Sequence, residues 1–282
     1  MARNRSFEPD GELSEICTKL WDLDDNRCVP GDDYEIDLQG YVTSTRNLNR
    51  DWAKYPLFTH FDEERVFSRD TYKAFRRLLD NYEMEAGLQE EITDEEYKEM
   101  CHFIDLIMDT AVMQEAHSFL VSKNEAPEDT NEFKGLLYKL WFKLYRRTRG
   151  DRDFDSSGFE HVFVGESRGR NVIGFHNWIQ FYLQEKRGNV DYRGYFRRGT
   201  SEEWEEQPRL ITLQFKWKKD GVKPIGSSFI GTSPEFEMAL YTLVHLMDKE
   251  KVQLQIADYQ VEVTCHSMAR GCIGTAFPMA VE

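Results

Sequence analysis

Apolar residues recur along the first half of the chain at helical spacing. Leu13, Ile16, Leu20 and Leu23 share one helical face. Phe67, Tyr72, Phe75, Leu78 and Leu79 predict a second helix within 66–84, and Thr93 with Glu96 forms a capping box ahead of Ile104, Ile107, Met108 and Ala111. Phe133, Leu136, Leu137, Leu140, Trp141 and Leu144 follow the i, i+3, i+4, i+7 stripe of an amphipathic helix. Near residue 147 the texture changes to short, glycine-punctuated segments: HVFVGE, NVIGF, RLITLQFKW, SSFIG, VQLQIADYQVEVTCH and IGTAFPMAV, rich in valine, isoleucine and aromatics, as strands are. Two helical stretches interrupt them, NWIQFYLQEK and PEFEMALYTLVHLM, the latter with Pro234 at its start. The pattern predicts an α+β chain, with a mainly helical region over 1–147, mainly antiparallel strands over 148–282, and the polar stretch TRGDRDFDSSG (148–158) as a loop between them.

A chain of 282 residues, 40% of them hydrophobic, buries a sizeable core as one large domain or two small ones. No run reaches the roughly 18 apolar residues of a membrane span, and the opening MARNRSFEPDGEL lacks the apolar core of a signal peptide. The expectation is a soluble, cytoplasmic or nuclear chain, with its five scattered cysteines as reduced thiols. A net charge of −15 argues against indiscriminate nucleic-acid binding. The charge is uneven, however. Residues 161–200 carry seven basic side chains (Arg168, Arg170, Lys186, Arg187, Arg193, Arg197, Arg198) against three acidic ones, and 209–223 carry five (Arg209, Lys216, Lys218, Lys219, Lys223) against Asp220 alone. An anionic ligand would prefer the second half.

Metal and phosphate motifs fit poorly. Asp22, Asp24 and Asn26 are spaced like the start of a calcium loop, but position 6 is Arg27 where the turn needs glycine, so a charged helix end is the better account. Cys265, His266 and Cys272 lack paired zinc-ligand spacing. GESRGRNVIG lacks the lysine of a P-loop. His161 and His176 are more informative. The first is expected in a strand and the second at the entry to a helix, and a short hairpin between them brings both to a cleft. Two imidazoles suit metal-free RNA cleavage, one taking the proton of a ribose 2′-hydroxyl and the other returning one to the departing 5′-oxygen, with a lysine to stabilise the phosphorane-like charge. By spacing alone, packing or surface roles are the commoner account of such a pair.

The segments Gly158–Glu166 (GFEHVFVGE), Gly174–Lys186 (GFHNWIQFYLQEK), Lys223–Gly231 (KPIGSSFIG) and Ser233–Glu237 (SPEFE) resemble, in order and spacing, the blocks of the poly(U)-specific endoribonuclease (EndoU) family, in particular its short animal members without an export signal. The likeness extends into the first half, through Leu79–Met84 and the stretch from Phe133 to Tyr145. It implies one EndoU-type domain, in which a helical N-terminal region packs on a catalytic region of two antiparallel sheets facing each other across a cleft. It implies cleavage of single-stranded, uridine-rich RNA to 2′,3′-cyclic phosphate and 5′-hydroxyl ends by a monomer, with His176 as general base, His161 as general acid and Lys223 as electrostatic stabiliser. Ser227 matches the position that reads the uracil edge. Thr275 and Phe277 match the family's Thr-x-Tyr, in which the aromatic ring packs on ribose or base; phenylalanine keeps the stacking surface and loses the hydroxyl. Glu160 and Glu166 match carboxylates that orient His161, stand near a cation or serve the fold. The family also implies dependence on manganese or calcium outside the chemical step, with ligands unassigned among acids such as Glu83, Glu85, Asp105 and Asp109. Two other readings compete: an RNA-binding protein of the same fold that cuts weakly or not at all, and an ion-responsive interaction protein whose histidines are incidental.

Overall fold

Local capping chemistry sets the helix starts. In the computed structural model, which describes residues 6–46, 50–150, 152–197, 207–218, 220–268 and 271–281, Asp10 caps α1 (Gly11–Asp22) and Thr93 and Glu96 form the capping box of α4 (Asp94–Met108). Thr110 caps α5 (Ala111–Ser122), and Asp129 caps α6 (Thr130–Trp141). Two short helices, α2 (Glu63–Phe67) and α3 (Asp70–Leu78), precede them, preceded in turn by a two-stranded antiparallel sheet of β1 (Tyr34–Ile36) and β2 (Phe58–Phe61). The stripe read through Ala111 therefore spans two helices, because α4 ends at Met108 with Asp109 as its C-cap and Thr110 starts the next. The stripe read through 66–84 likewise divides at Ser68–Arg69, and Leu144 falls beyond the end of α6.

The second half holds two further sheets. Five strands run in the order β3 (Glu166–Arg168), β4 (Asn171–Ile173), β7 (Gly221–Phe229), β6 (Leu210–Trp217), β5 (Val190–Tyr195). All neighbours are antiparallel except β4 and β7, which meet in parallel at Asn171 and Val222. Three strands form β10–β9–β8 from Ile273–Ala280, Tyr259–Ser267 and Lys251–Ile256. α7 (Trp178–Lys186) packs on β5, and β10 packs across β6 and β7, so the two sheets face each other. The molecule is α+β, as the pattern predicts.

One segment differs from that prediction. HVFVGE, read as a strand, forms a π-helical turn over Glu160–Val164, closed by the Gly165 N–H donating to the Glu160 carbonyl (2.7 Å). A short apolar run has the same hydropathy in a buried strand and a buried helix, so periodicity does not separate them. Burial on all sides decides. Val162, Phe163 and Val164 are fully buried, and Phe163 packs against Phe75, Trp141 and Tyr241 from three other helices.

α8 (Pro234–Leu246) explains how the halves join. Residues 234–244 are all buried, and the helix packs on α1, α3 and α5 on one side and β9 and β10 on the other. A mostly apolar helix suits a position at the centre of the core, and its two buried acids are hydrogen-bonded, Glu235 by Asn26 and Glu237 by Thr232. The five cysteines are free thiols. α1 ends at Asp22, as a charged helix end should, while Asp24 turns inward and accepts the Ser233 N–H at the start of α8. Among the described residues no helix is long and apolar enough to cross a membrane.

Candidate active site

The π-helical turn, the β3–β4 hairpin and the loop entering α7 converge. Gly174 and Phe175 both adopt left-handed conformations (φ 62° and 65°), which fold the chain back onto the π-helix. A β-carbon on Gly174 would lie 1.9 Å from the His161 carbonyl oxygen, so glycine is required there. The Phe175 N–H donates to the His161 carbonyl (2.8 Å) and the His176 N–H to the Val162 carbonyl (2.7 Å). Two backbone hydrogen bonds thus clamp the histidine-bearing segments together. Asn177 then caps α7 through the N–H groups of Ile179 and Gln180, fixing the helix immediately after His176.

The two imidazoles are buried but held differently. Nδ1 of His176 donates to the Ser227 carbonyl (2.9 Å); a carbonyl can only accept, so the proton sits on Nδ1 and Nε2 is left bare. Ser228 Oγ holds the His176 carbonyl (2.7 Å), and the Phe277 ring stacks on the imidazole with centroids 4.7 Å apart. Burial, reinforced by the Lys223 charge, holds His176 well below the usual histidine range. Nδ1 of His161 instead meets the Glu166 carboxylate. Burial pushes His161 down to about 4 despite that carboxylate, with Arg147 and Lys223 adding to the fall. Burial alone would raise Glu166, but His161 and Arg147 hold it low and ionised.

Lys223, on β7, is buried and its ammonium donates to the Gly174 carbonyl. Burial brings it down to about 8. Glu160 is fully buried beside Glu166 and Glu90; burial and those two carboxylates push it well above the ordinary range, and it accepts the Ser157 N–H (3.2 Å). His161, His176, Lys223, Glu160, Glu166, Ser227 and Phe277 are therefore gathered in one place. Thr275 lies two residues before Phe277 on β10, half-buried and opposite His266. A small, mainly apolar cavity between α7 and the sheet is lined by Phe175, Trp178, Phe181, Leu213, Phe215 and Ser227.

Arg147 was not distinguishable in the sequence from the rest of its basic run. Its guanidinium pairs with Glu166 (3.2 Å) and donates to the Gly274 carbonyl (2.6 Å), the Tyr145 hydroxyl and Ser156 Oγ, tying the carboxylate to β10. Much of the basic charge counted in the sequence is used internally: Lys186 pairs with Glu63, Arg193 with Asp51 and Asp191, and Arg209 donates to the Cys28 carbonyl. Arg198 and Lys219 lie outside the described residues. Among the described residues no three His, Cys, Asp or Glu side chains group to hold a metal ion.

The chain as a whole resembles known proteins. The family model described as Endoribonuclease XendoU matches residues 12–278. The chain is 49% identical over 289 residues to poly(U)-specific endoribonuclease-A of Xenopus laevis, covering all of this chain and 98% of that one. It is 49% identical to uridylate-specific endoribonuclease B of Danio rerio, with 98% of each covered. The human uridylate-specific endoribonuclease is 40% identical over 93% of this chain and 62% of its own length. A solved structure described as XendoU, a splicing independent snoRNA processing endoribonuclease, superposes with a TM-score of 0.85 at 46% identity, covering 98% of this chain and 99% of that one. With a family model over nearly its whole length and relatives of equal length at half identity, the chain belongs to the XendoU family of endoribonucleases.

Proposed function

We propose that the chain cleaves single-stranded RNA at uridines, leaving 2′,3′-cyclic phosphate and 5′-hydroxyl ends. The observation that carries this reading is the unequal tethering of two adjacent buried imidazoles. His176, with its Nδ1 proton given to a carbonyl, offers a bare Nε2 to the ribose 2′-hydroxyl and acts as general base. His161, backed by the Glu166 carboxylate, is stabilised as an imidazolium and delivers its Nε2 proton to the departing 5′-oxygen. The pull of burial on His161 is offset when a phosphodiester brings its own negative charge into the cleft. Lys223 stabilises the charge that develops on the phosphorane oxygens. Arg147 and Glu166 are positioning residues, and Glu160 serves the turn that carries His161. The names of the relatives, poly(U)-specific and uridylate-specific, support the base preference, with Ser227 reading the uracil edge and Thr275 and Phe277 bounding the ribose side.

A manganese or calcium ion is expected from the family resemblance, but the donors present do not fit one at this centre. Glu166 is already paired with His161 and Arg147, and Glu85 receives Ser167 Oγ and the Gly169 N–H. Asp105 pairs with Lys134 on a different helix. No step of the proposed reaction passes through an ion. The remaining proposals are a monomer acting on uridine-rich RNA in the cytoplasm or nucleus, its catalytic region beginning near residue 148.

The test is incubation with a short single-stranded RNA containing one uridine, with end-group analysis of the products, alongside His176→Ala. Cleavage at the uridine with a cyclic phosphate, abolished by the substitution, supports the reading. Binding without cleavage by the unsubstituted protein overturns it in favour of an RNA-binding role.

A further inference from the structure

The sheet that carries Ser227 continues past it with a second surface for RNA. In the β6–β7 register Ser227 lies directly opposite Thr212. One strand further, Tyr195 pairs with Leu213 and the Phe196 N–H donates to the Thr212 carbonyl (2.7 Å), so Phe196 is opposite Thr212 in turn. Directly opposed residues of antiparallel strands project to the same face, so Ser227, Thr212 and Phe196 form one row on one side of the sheet. Neighbouring strands lie about 4.8 Å apart, which puts the Phe196 backbone roughly 10 Å from that of Ser227. Thr212, between them, is small and buried, whereas Phe196 is partly exposed and the following Arg197 exposed. Among the described residues Phe196 has no aromatic partner, unlike most phenylalanines of this chain, which belong to ring clusters in the core.

We propose that Phe196 is a stacking platform for the nucleotide that flanks the scissile uridine, with Arg197 meeting the adjoining phosphate. The proposal rests on the reading of Ser227 and the two histidines given above. An aromatic face beside a cation is the equipment for holding one more base of a single strand without reading its identity. In a chain of net charge −15, an exposed arginine beside a partly exposed ring at the end of this row is the local charge complement that a phosphate needs.

The test compares kcat/KM on a uridine dinucleotide with kcat/KM on trinucleotides extended by one base on either side. In the unsubstituted protein, extension on one side raises kcat/KM. Phe196→Ala reduces that gain about 10-fold, within the range of base–aromatic stacking, and Phe196→Trp preserves it. Tyr55→Ala, which removes an exposed ring outside the row, leaves the gain intact. A thermal melt of each variant checks the fold. The proposal is overturned if extension on neither side raises kcat/KM, if Phe196→Ala keeps the full gain, or if Phe196→Trp loses it as completely as alanine. A dinucleotide left uncut by the unsubstituted protein signals failure of the underlying cleavage reading instead. In that case fluorescence anisotropy with a trinucleotide carrying 2′-deoxyuridine decides the subsite: weaker binding by Phe196→Ala supports it, and equal binding overturns it.

Discussion

The imidazole of His176 and the ring of Phe277 lie face to face, with centroids 4.7 Å apart and planes inclined by 18°. The stack covers one face of the proposed base with an apolar surface, and burial is the first cause of its lowered pKa. Phe277→Ala opens that face to water, so His176 moves back toward its ordinary value and the acidic limb of the kcat/KM profile shifts to higher pH. Phe277→Tyr keeps the platform and leaves the limb where it is. A pH–rate profile of the two variants on a uridine dinucleotide checks both outcomes; an unmoved limb in Phe277→Ala contradicts them.

Lys223 carries a conflict between stability and chemistry. Its folded pKa of about 8 lies below its ordinary value of 10.5. Between those values the unfolded chain binds the extra proton, so stability rises with pH there; below about 8 the cost of burying the ammonium is constant. Lys223→Met removes that cost. It is expected to melt higher than the parent at pH 7, by a margin that shrinks toward pH 10, while kcat falls by about 10²- to 10³-fold. Paired melting curves and rates at the two pH values check this, and a lower melting temperature at pH 7 contradicts it.

Glu237 is also buried but titrates with the opposite consequence. It accepts Thr232 Oγ1 (2.9 Å) and Asn177 Nδ2 (3.4 Å) beneath the cap of α7, and burial pushes it up to about 8. A raised carboxyl pKa means its contribution is whole below the ordinary value of 4.5 and is lost as pH rises through about 8. Glu237→Gln keeps the accepting oxygen and cannot ionise. The variant should match the parent at pH 5 and exceed its melting temperature at pH 9, which differential scanning calorimetry at both pH values measures.

How much of this was legible beforehand depends on range. The cap at Thr93, the proline that opens α8 and the stripe from Phe133 to Trp141 are written in neighbouring residues, and those elements formed as predicted. The pairing of His161 with His176 was readable from the intervening hairpin and from the family resemblance. The conformation of His161's own segment was not, because an apolar run does not report whether it is surrounded on two sides or on all of them. Arg147 was invisible for a different reason. Its role depends on Glu166, 19 positions away, and on the Gly274 carbonyl of a strand at the far end of the chain, and nothing local distinguishes it from Arg146 or Arg149. The burial of Asp24, Glu235 and Glu237 likewise depends on partners distant in sequence, such as Asn26 for Glu235.

Gly174 tests whether the clamp between the two histidine segments matters. With φ at 62° and the His161 carbonyl 1.9 Å from any added β-carbon, Gly174→Ala must displace either the π-helix or His176. The expected cost is about 1–3 kcal/mol from the backbone conformation alone, with activity falling further than stability. Denaturant titration together with a rate measurement under folding conditions checks this, and a variant with parental activity contradicts it.

Glu166→Gln separates charge from position. The amide can still meet Nδ1 of His161 but no longer stabilises an imidazolium, and the loss should be roughly 10- to 100-fold in kcat, the worth of a hydrogen bond to a charged group.

The division of labour between the two histidines is tested most directly with a uridine 3′-phosphodiester whose leaving group is p-nitrophenolate, which departs without a proton. The general acid becomes dispensable on that substrate while the general base does not. His161→Ala and His176→Ala should both lose about 10²- to 10⁴-fold on a uridine dinucleotide. On the activated ester His161→Ala should recover to near the parental rate and His176→Ala should not. Equal losses on both substrates, or recovery by His176→Ala instead, would contradict the assignment.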